Sequence, residues 1–204
     1  MEYICESSEN EMLALFLQTE VKSERYRDKI FQILTELEAD ESIVLAPDMS
    51  IEEDNTVRKK IMSRFRGYGE DKELFEGFPK KVRWVWVHLS KSDLENVKYI
   101  NYDYWVELSG GTRLAKNAAQ NIRNGVKIFD VEIDGFIEGA RQASAGSVFP
   151  PMILVSDTEK SNIIVLEGHF RLTVYMLAPD AVPDKLKVMV GYVNNEEIRK
   201  WGLY

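Results

Sequence analysis

The chain is poor in the side chains that ligate soft metals or form cross-links. It has one cysteine, Cys5, and two histidines, His88 and His169, in 204 residues. A single cysteine excludes an intramolecular disulfide and suits a reducing compartment. Three such residues scattered this widely exclude the usual His/Cys zinc site. No uncharged run approaches the roughly 20 residues of a membrane span. The acidic start lacks the basic and apolar regions of a signal peptide. The expectation is a cytoplasmic protein with no membrane partner. There is no GxSxG, no nucleotide-binding GxGxxG and no GxxxxGK[ST], which excludes the hydrolase-triad, Rossmann and P-loop readings. No internal repeat or low-complexity tract is present. Positive charge is short as well: Lys and Arg total 26 against 34 Asp and Glu, a net charge of −8. Broad binding to nucleic acid rests on neutralising phosphates, so duplex DNA is not an expected partner.

What is present reads first as helix. Glu9–Gln18 carries Met12, Leu13, Phe16 and Leu17. Ser23–Glu38 places Tyr26, Ile30, Ile33, Leu34 and Leu37 on one face. Ile43–Ala46 reads as a brief strand ended by Pro47. Ser50 and Glu53 have capping-box spacing and open a helix through Val57, Ile61, Met62 and Phe65 that stops at Gly67. Val82–Leu89 then alternates, with Val82, Trp84, Trp86 and His88 on one face and Arg83, Val85, Val87 and Leu89 on the other. Lys80, Lys81, Arg83 and Lys91 flank the tryptophans. Two readings fit: a basic aromatic platform on which bases stack, or a sheet strand with a Trp-rich core face and charged ends. An aromatic cluster follows at 101–105. Ser109-Gly110-Gly111-Thr112-Arg113 precedes a helix to Ile122, as a loop with an N-cap or as a phosphate cradle of exposed backbone N–H groups. Val126–Asp130 reads as a short strand and Glu132–Ala143 as a helix, with Gly139 allowing close packing. Strands are expected near 151–156, 162–166 and 186–193, with a polar turn over Asp157–Ser161.

The stretch that organises the chain is Ile163 to Thr173. The β-branched run Ile163–Leu166 is a strand signal, and Gly168 supplies a turn that a side chain would block. Phe170, Val174 and Leu177 form a helical stripe from about 169 to 178. A strand, a glycine and a helix N-terminus together suit an anion, because free N–H groups and the positive dipole end meet there. Arg171 adds a planar fork matched to phosphate or carboxylate. In this reading Arg171 is a surface clamp that costs little stability when truncated. In the competing reading Arg171 pairs with Glu167 and is structural.

The segment Gly168-His169-Phe170-Arg171, with its flanking strands, resembles the ParB/sulfiredoxin-like superfamily, whose members carry a strand–Gly–helix motif of the GxxR type. The resemblance runs from about Lys127 to Val193 and includes Pro150-Pro151-Met152-Ile153-Leu154-Val155. A ParB motif reads GERR, and only the glycine and last arginine are kept here. His169 stands where sulfiredoxin has its catalytic cysteine, which excludes that chemistry. The DGHHR form of a free serine kinase is nearest, with Glu167 for Asp and Phe170 for the second His. The resemblance implies an α/β (α+β) fold with a small mixed sheet. It implies a ParB/sulfiredoxin-like domain over 126–204, preceded by a helical and Trp-rich β extension over 1–125.

It also implies a nucleotide or phosphorylated small molecule as ligand, with ATP or another nucleotide and Mg²⁺ as cofactors. Gly168, His169, Phe170 and Arg171 would bind phosphate, and Arg113 would reach the nucleotide from upstream. Glu167 and His169 are the candidate catalytic pair: Glu167 holds Mg²⁺ or orients a second substrate, and His169 donates to phosphate or shuttles a proton. Three activities fit the motif: a phosphotransferase or nucleotide hydrolase, a nonenzymatic regulatory or protein-interaction module, and a nucleic-acid-processing protein. The segment before the motif domain would complete the pocket or form a homodimer surface.

Overall fold

The β-branched and aromatic runs of the sequence become the strands of one mixed sheet. The fold is that of a computed structural model, which describes residues 1–158 and 162–204; the turn expected over Asp157–Ser161 lies partly outside the described residues. The strands are β1 (Glu2–Glu6), β2 (Arg83–Leu89), β3 (Val97–Lys98), β4 (Ile153–Asp157), β5 (Ile163–Glu167) and β6 (Leu186–Val193). Their order is β1-β2-β6-β4-β5-β3. β4 lies between β5, its antiparallel partner, and β6, its parallel partner. β2 pairs antiparallel with β6. The strands expected near 151–156, 162–166 and 186–193 therefore share one sheet. That sheet also takes β1, β2 and β3 from the segment before residue 126, so it spans the boundary expected at 125.

Helices cover both faces. They are α1 (Glu9–Glu20), α2 (Arg27–Glu36), α3 (Ser42–Leu45), α4 (Glu52–Arg66), α5 (Lys91–Leu94), α6 (Asp103–Leu108), α7 (Ala115–Arg123), α8 (Asp134–Ser144), α9 (His169–Leu177) and α10 (Asn195–Ile198). The period-two alternation of the strands decides which core each residue joins. Trp84, Trp86, Ile164 and Leu166 pack under α1, α2 and α4 with Met12, Phe16, Ile30 and Phe65. Val85, Val87, Val165 and Val190 point the other way, against Ala118, Ile122, Phe136 and Leu172. Trp84 and Trp86 are buried, so they belong to the core and offer no face on which bases could stack. Fully burying a large apolar side chain stabilises by about 1.5–3 kcal/mol. Among the described residues no helix is long and apolar enough to cross a membrane.

Three local expectations differ. Ile43–Ala46 is part of a helical turn, because the Asp40 carboxylate accepts from the Ser42 amide at 2.8 Å and starts α3. Ser50 donates its hydroxyl to Asp48 at 2.6 Å instead of capping, and α4 begins without a side-chain cap. Val126–Asp130 forms no strand: Phe129 and Asp130 have φ of 50° and 55°, the left-handed region, which breaks a ladder.

Candidate anion site

β5 ends on Glu167 and α9 starts on His169, so the turn between them falls to one residue. Gly168 takes φ 106° and ψ 24°. A Cβ there would stand 2.7 Å from Met152 Cγ and 2.8 Å from Arg171 Nη2. Glycine therefore does two things: it makes the left-handed turn and it lets the Arg171 guanidinium fold back over it. No side chain caps α9. The first amide to return a hydrogen bond is Leu172 N, to Gly168 O at 2.9 Å. The amides of His169, Phe170 and Arg171 come before it and are the opening donors of the helix.

Arg171 is 5% exposed, and its Nη2 is ion-paired with Glu167 Oε2. The surface position expected for it is corrected: the helical turn from Glu167 to Arg171 draws the guanidinium inward onto the carboxylate. Its Nε is buried without a hydrogen-bond partner among the described residues. Burial pushes the Glu167 carboxyl up to about 7, against the pull of Arg171. His169 stacks on Trp105 at 5.1 Å and on Tyr99 at 6.1 Å between ring centroids. Burial first, then the charges of Arg66 and Arg171, hold its imidazole down to about 3. His169 is thus neutral at ordinary pH and does not suit the proton-shuttle role; its Nε2 is buried and also lacks a partner.

Two residues that sequence reasoning missed, Glu20 and Arg66, bear electrostatically on the motif. Glu20 ends α1 and Arg66 ends α4, and Arg66 Nη2 meets Glu20 Oε1 at 3.2 Å. The Arg66 guanidinium lies over the Tyr26 ring at 4.3 Å and the Phe65 ring at 4.9 Å. Arg66 Nε is a third buried nitrogen without a partner. Burial raises the Glu20 carboxyl above its usual range, and Glu20 in turn raises Glu167. The one local signal was a basic residue closing a helix, where it offsets the dipole; nothing local said what that residue would face. An unsatisfied buried polar group costs about 1–3 kcal/mol, more when charged. No hydrogen bond among the described residues offsets that cost for the nitrogens of Arg171, His169 and Arg66.

Other expected site residues lie in structural roles. Phe170 is exposed, stacks on Phe136 at 5.4 Å and packs over Gly139, where a Cβ would come within 2.7 Å of its ring. It joins α9 to α8. Arg113 donates from Nε to Tyr99 O at 2.8 Å, from Nη1 to Tyr204 O at 2.9 Å and from Nη2 to Leu203 O at 3.1 Å. Each nitrogen already serves a carbonyl, so Arg113 fastens the C-terminal segment. Glu167 does not fit a Mg²⁺ ligand, because its carboxylate is held by one arginine and lies in the field of a second. Among the described residues no group of three or more His, Cys, Asp or Glu side chains could hold a metal ion.

Two clefts, of about 320 and 570 Å³, lie elsewhere; Tyr3 and Tyr192 line the first, Lys98 and Asn162 the second, and the motif lines neither. Size alone gives them no chemistry, whereas the motif gathers charged groups and unpaired nitrogens. Compared with known proteins, the chain matches no family model, no curated protein and no solved structure.

Proposed function

We propose that the chain binds an anionic ligand, foremost the phosphate of a nucleotide, at the N-terminus of α9. The observation that carries this is Arg171: a buried guanidinium folded over Gly168, its Nε unpartnered among the described residues, at a helix start that none of their side chains caps. A phosphate oxygen over the turn would accept from Arg171 Nε and from the opening amides. His169, kept neutral, would donate from Nε2 in that tautomer. Glu167 holds Arg171 until the ligand arrives; because its carboxyl titrates near 7, it can take a proton and yield the guanidinium. The same property favours a second reading, phosphoryl transfer or nucleotide hydrolysis, with Glu167 as proton acceptor. If a nucleotide brings Mg²⁺, the metal would ride on the phosphates, since Glu167 does not fit as its ligand.

Thermal unfolding with a panel of nucleotides and inorganic phosphate, with and without Mg²⁺, tests the reading. A ligand at a hundred times its Kd stabilises by about 2.7 kcal/mol, which is roughly 5–10 °C for a chain of this size. The shift should be largely lost in Arg171→Lys, which keeps the charge and loses the fork. No shift with any of these anions refutes the reading.

A further inference from the structure

We propose that the smaller cleft, over β1, β2 and β6, binds a free α-amino acid with a branched aliphatic or aromatic side chain. The site is separate from the start of α9 and does not rest on the anion reading. Strand register builds it. Residues paired across a sheet point to the same face. Tyr3 pairs with Val87 and Glu6 with Val85 on β2, and Arg83 pairs with Tyr192 on β6. In a regular strand Tyr3 and Glu6, three apart, would point to opposite faces. The register shifts between Tyr3 and Cys5, a bulge that turns Glu6 to the side of Tyr3. Cys5 pairs instead with Trp86, which belongs to the opposite core. Tyr3, Arg83, Val85, Val87 and Tyr192 line a space of about 320 Å³. Glu6 is tied to its rim. It accepts from the Tyr3 hydroxyl at 3.3 Å, from Arg83 Nε at 3.2 Å and from Arg83 Nη2.

Charge and polarity then select the ligand. Val85 and Val87 are buried core residues and give the cleft an apolar floor. Tyr3 and Tyr192 add aromatic surface. The Glu6 and Arg83 side chains are each more than half exposed. An exposed ion pair contributes little to stability, so both groups can change partners at small cost. Their charges are opposite, and the rim is neutral as a whole. A lone carboxylate would gain Arg83 and meet Glu6; a lone ammonium would gain Glu6 and meet Arg83. A zwitterion suits both, because its carboxylate takes the Arg83 fork and its ammonium donates to Glu6. Its side chain then lies against the valines and the rings, where apolar burial favours a large one. The volume is at the lower end for ligand pockets, about 300–1,000 Å³, which suits an amino acid better than a nucleotide.

Calorimetric titration of the full chain with L-leucine and L-phenylalanine tests this. The controls are glycine, isocaproate, which is leucine without the ammonium, and isopentylamine, which is leucine without the carboxylate. Leucine or phenylalanine should bind roughly tenfold or more tighter than each control. Arg83→Gln and Glu6→Gln should each weaken that binding roughly fivefold or more. Both positions are exposed, so melting of the two variants without ligand should barely differ from that of the wild type. A folded Arg171→Lys should bind the amino acid as the wild type does, which keeps this site distinct from the one at α9. Absence of binding by both amino acids overturns the proposal. Isocaproate or isopentylamine binding as tightly as leucine overturns the zwitterion. Wild-type affinity in Arg83→Gln or in Glu6→Gln overturns the role of the ion pair and with it the site.

Discussion

The buried pair of Glu167 and His169 should give this protein a pH dependence that is hidden in the wild type and exposed by either substitution. Burial moves the Glu167 carboxyl from 4.5 to about 7. Between those values the native state holds a proton that the unfolded chain has released, so stability falls as pH rises through the window. The whole displacement is worth about 3 kcal/mol. His169 works in the opposite sense. Its imidazole is moved from 6.5 to about 3, so below 6.5 the unfolded chain takes up a proton that the native state refuses. Stability is then lost as pH falls, by about 5 kcal/mol in full. From about pH 4.5 to 6.5 the two slopes cancel. Glu167→Gln should remove one of them and leave stability rising with pH across this window; His169→Asn should leave it falling. Urea unfolding of the three chains at fixed ionic strength from pH 3 to 8 measures this. Carboxylates held low by partners, such as Glu138 and Asp93, contribute to all three alike and drop out of the differences. A difference between wild type and Glu167→Gln that stays constant from pH 4.5 to 7 would refute the reasoning, because it would mean that Glu167 titrates alike in folded and unfolded chains.

Arg171→Ala should destabilise the protein by about 3–5 kcal/mol at pH 8, since it strands a buried carboxylate; the loss should shrink at pH 5, where Glu167 carries a proton, and denaturant midpoints at the two values check it. Gly168→Ala should cost more than about 1 kcal/mol, because the residue has a positive φ and its new methyl would meet Met152 and Arg171; phosphate affinity should fall with it, as calorimetry would read. Duplex DNA should bind weakly at physiological salt, given the −8 net charge; submicromolar, salt-steep binding to random duplex in a mobility shift would contradict this.

The sequence by itself determined the local pieces. The β-branched run Ile163–Leu166, the glycine and the apolar stripe after it gave β5, the turn and α9 within a residue or two. Alternation over Val82–Leu89 divided that strand between two cores, because side-chain direction in a strand follows from covalent geometry alone. The alternative pairing of Arg171 with Glu167 was also legible, since residues four apart meet over one helical turn. Tertiary structure decided the rest. β1 carries no burial pattern, all five residues being exposed, and its place in the sheet comes only from pairing with β2. The burial that makes Arg171 an inward group, neutralises His169 and raises Glu167 exists only in the folded chain. Glu20 and Arg66 bear on the motif's charges only in the folded chain. Their sequence neighbours carry no trace of it, because a charge–charge contact between distant segments is fixed by packing and not by local spacing.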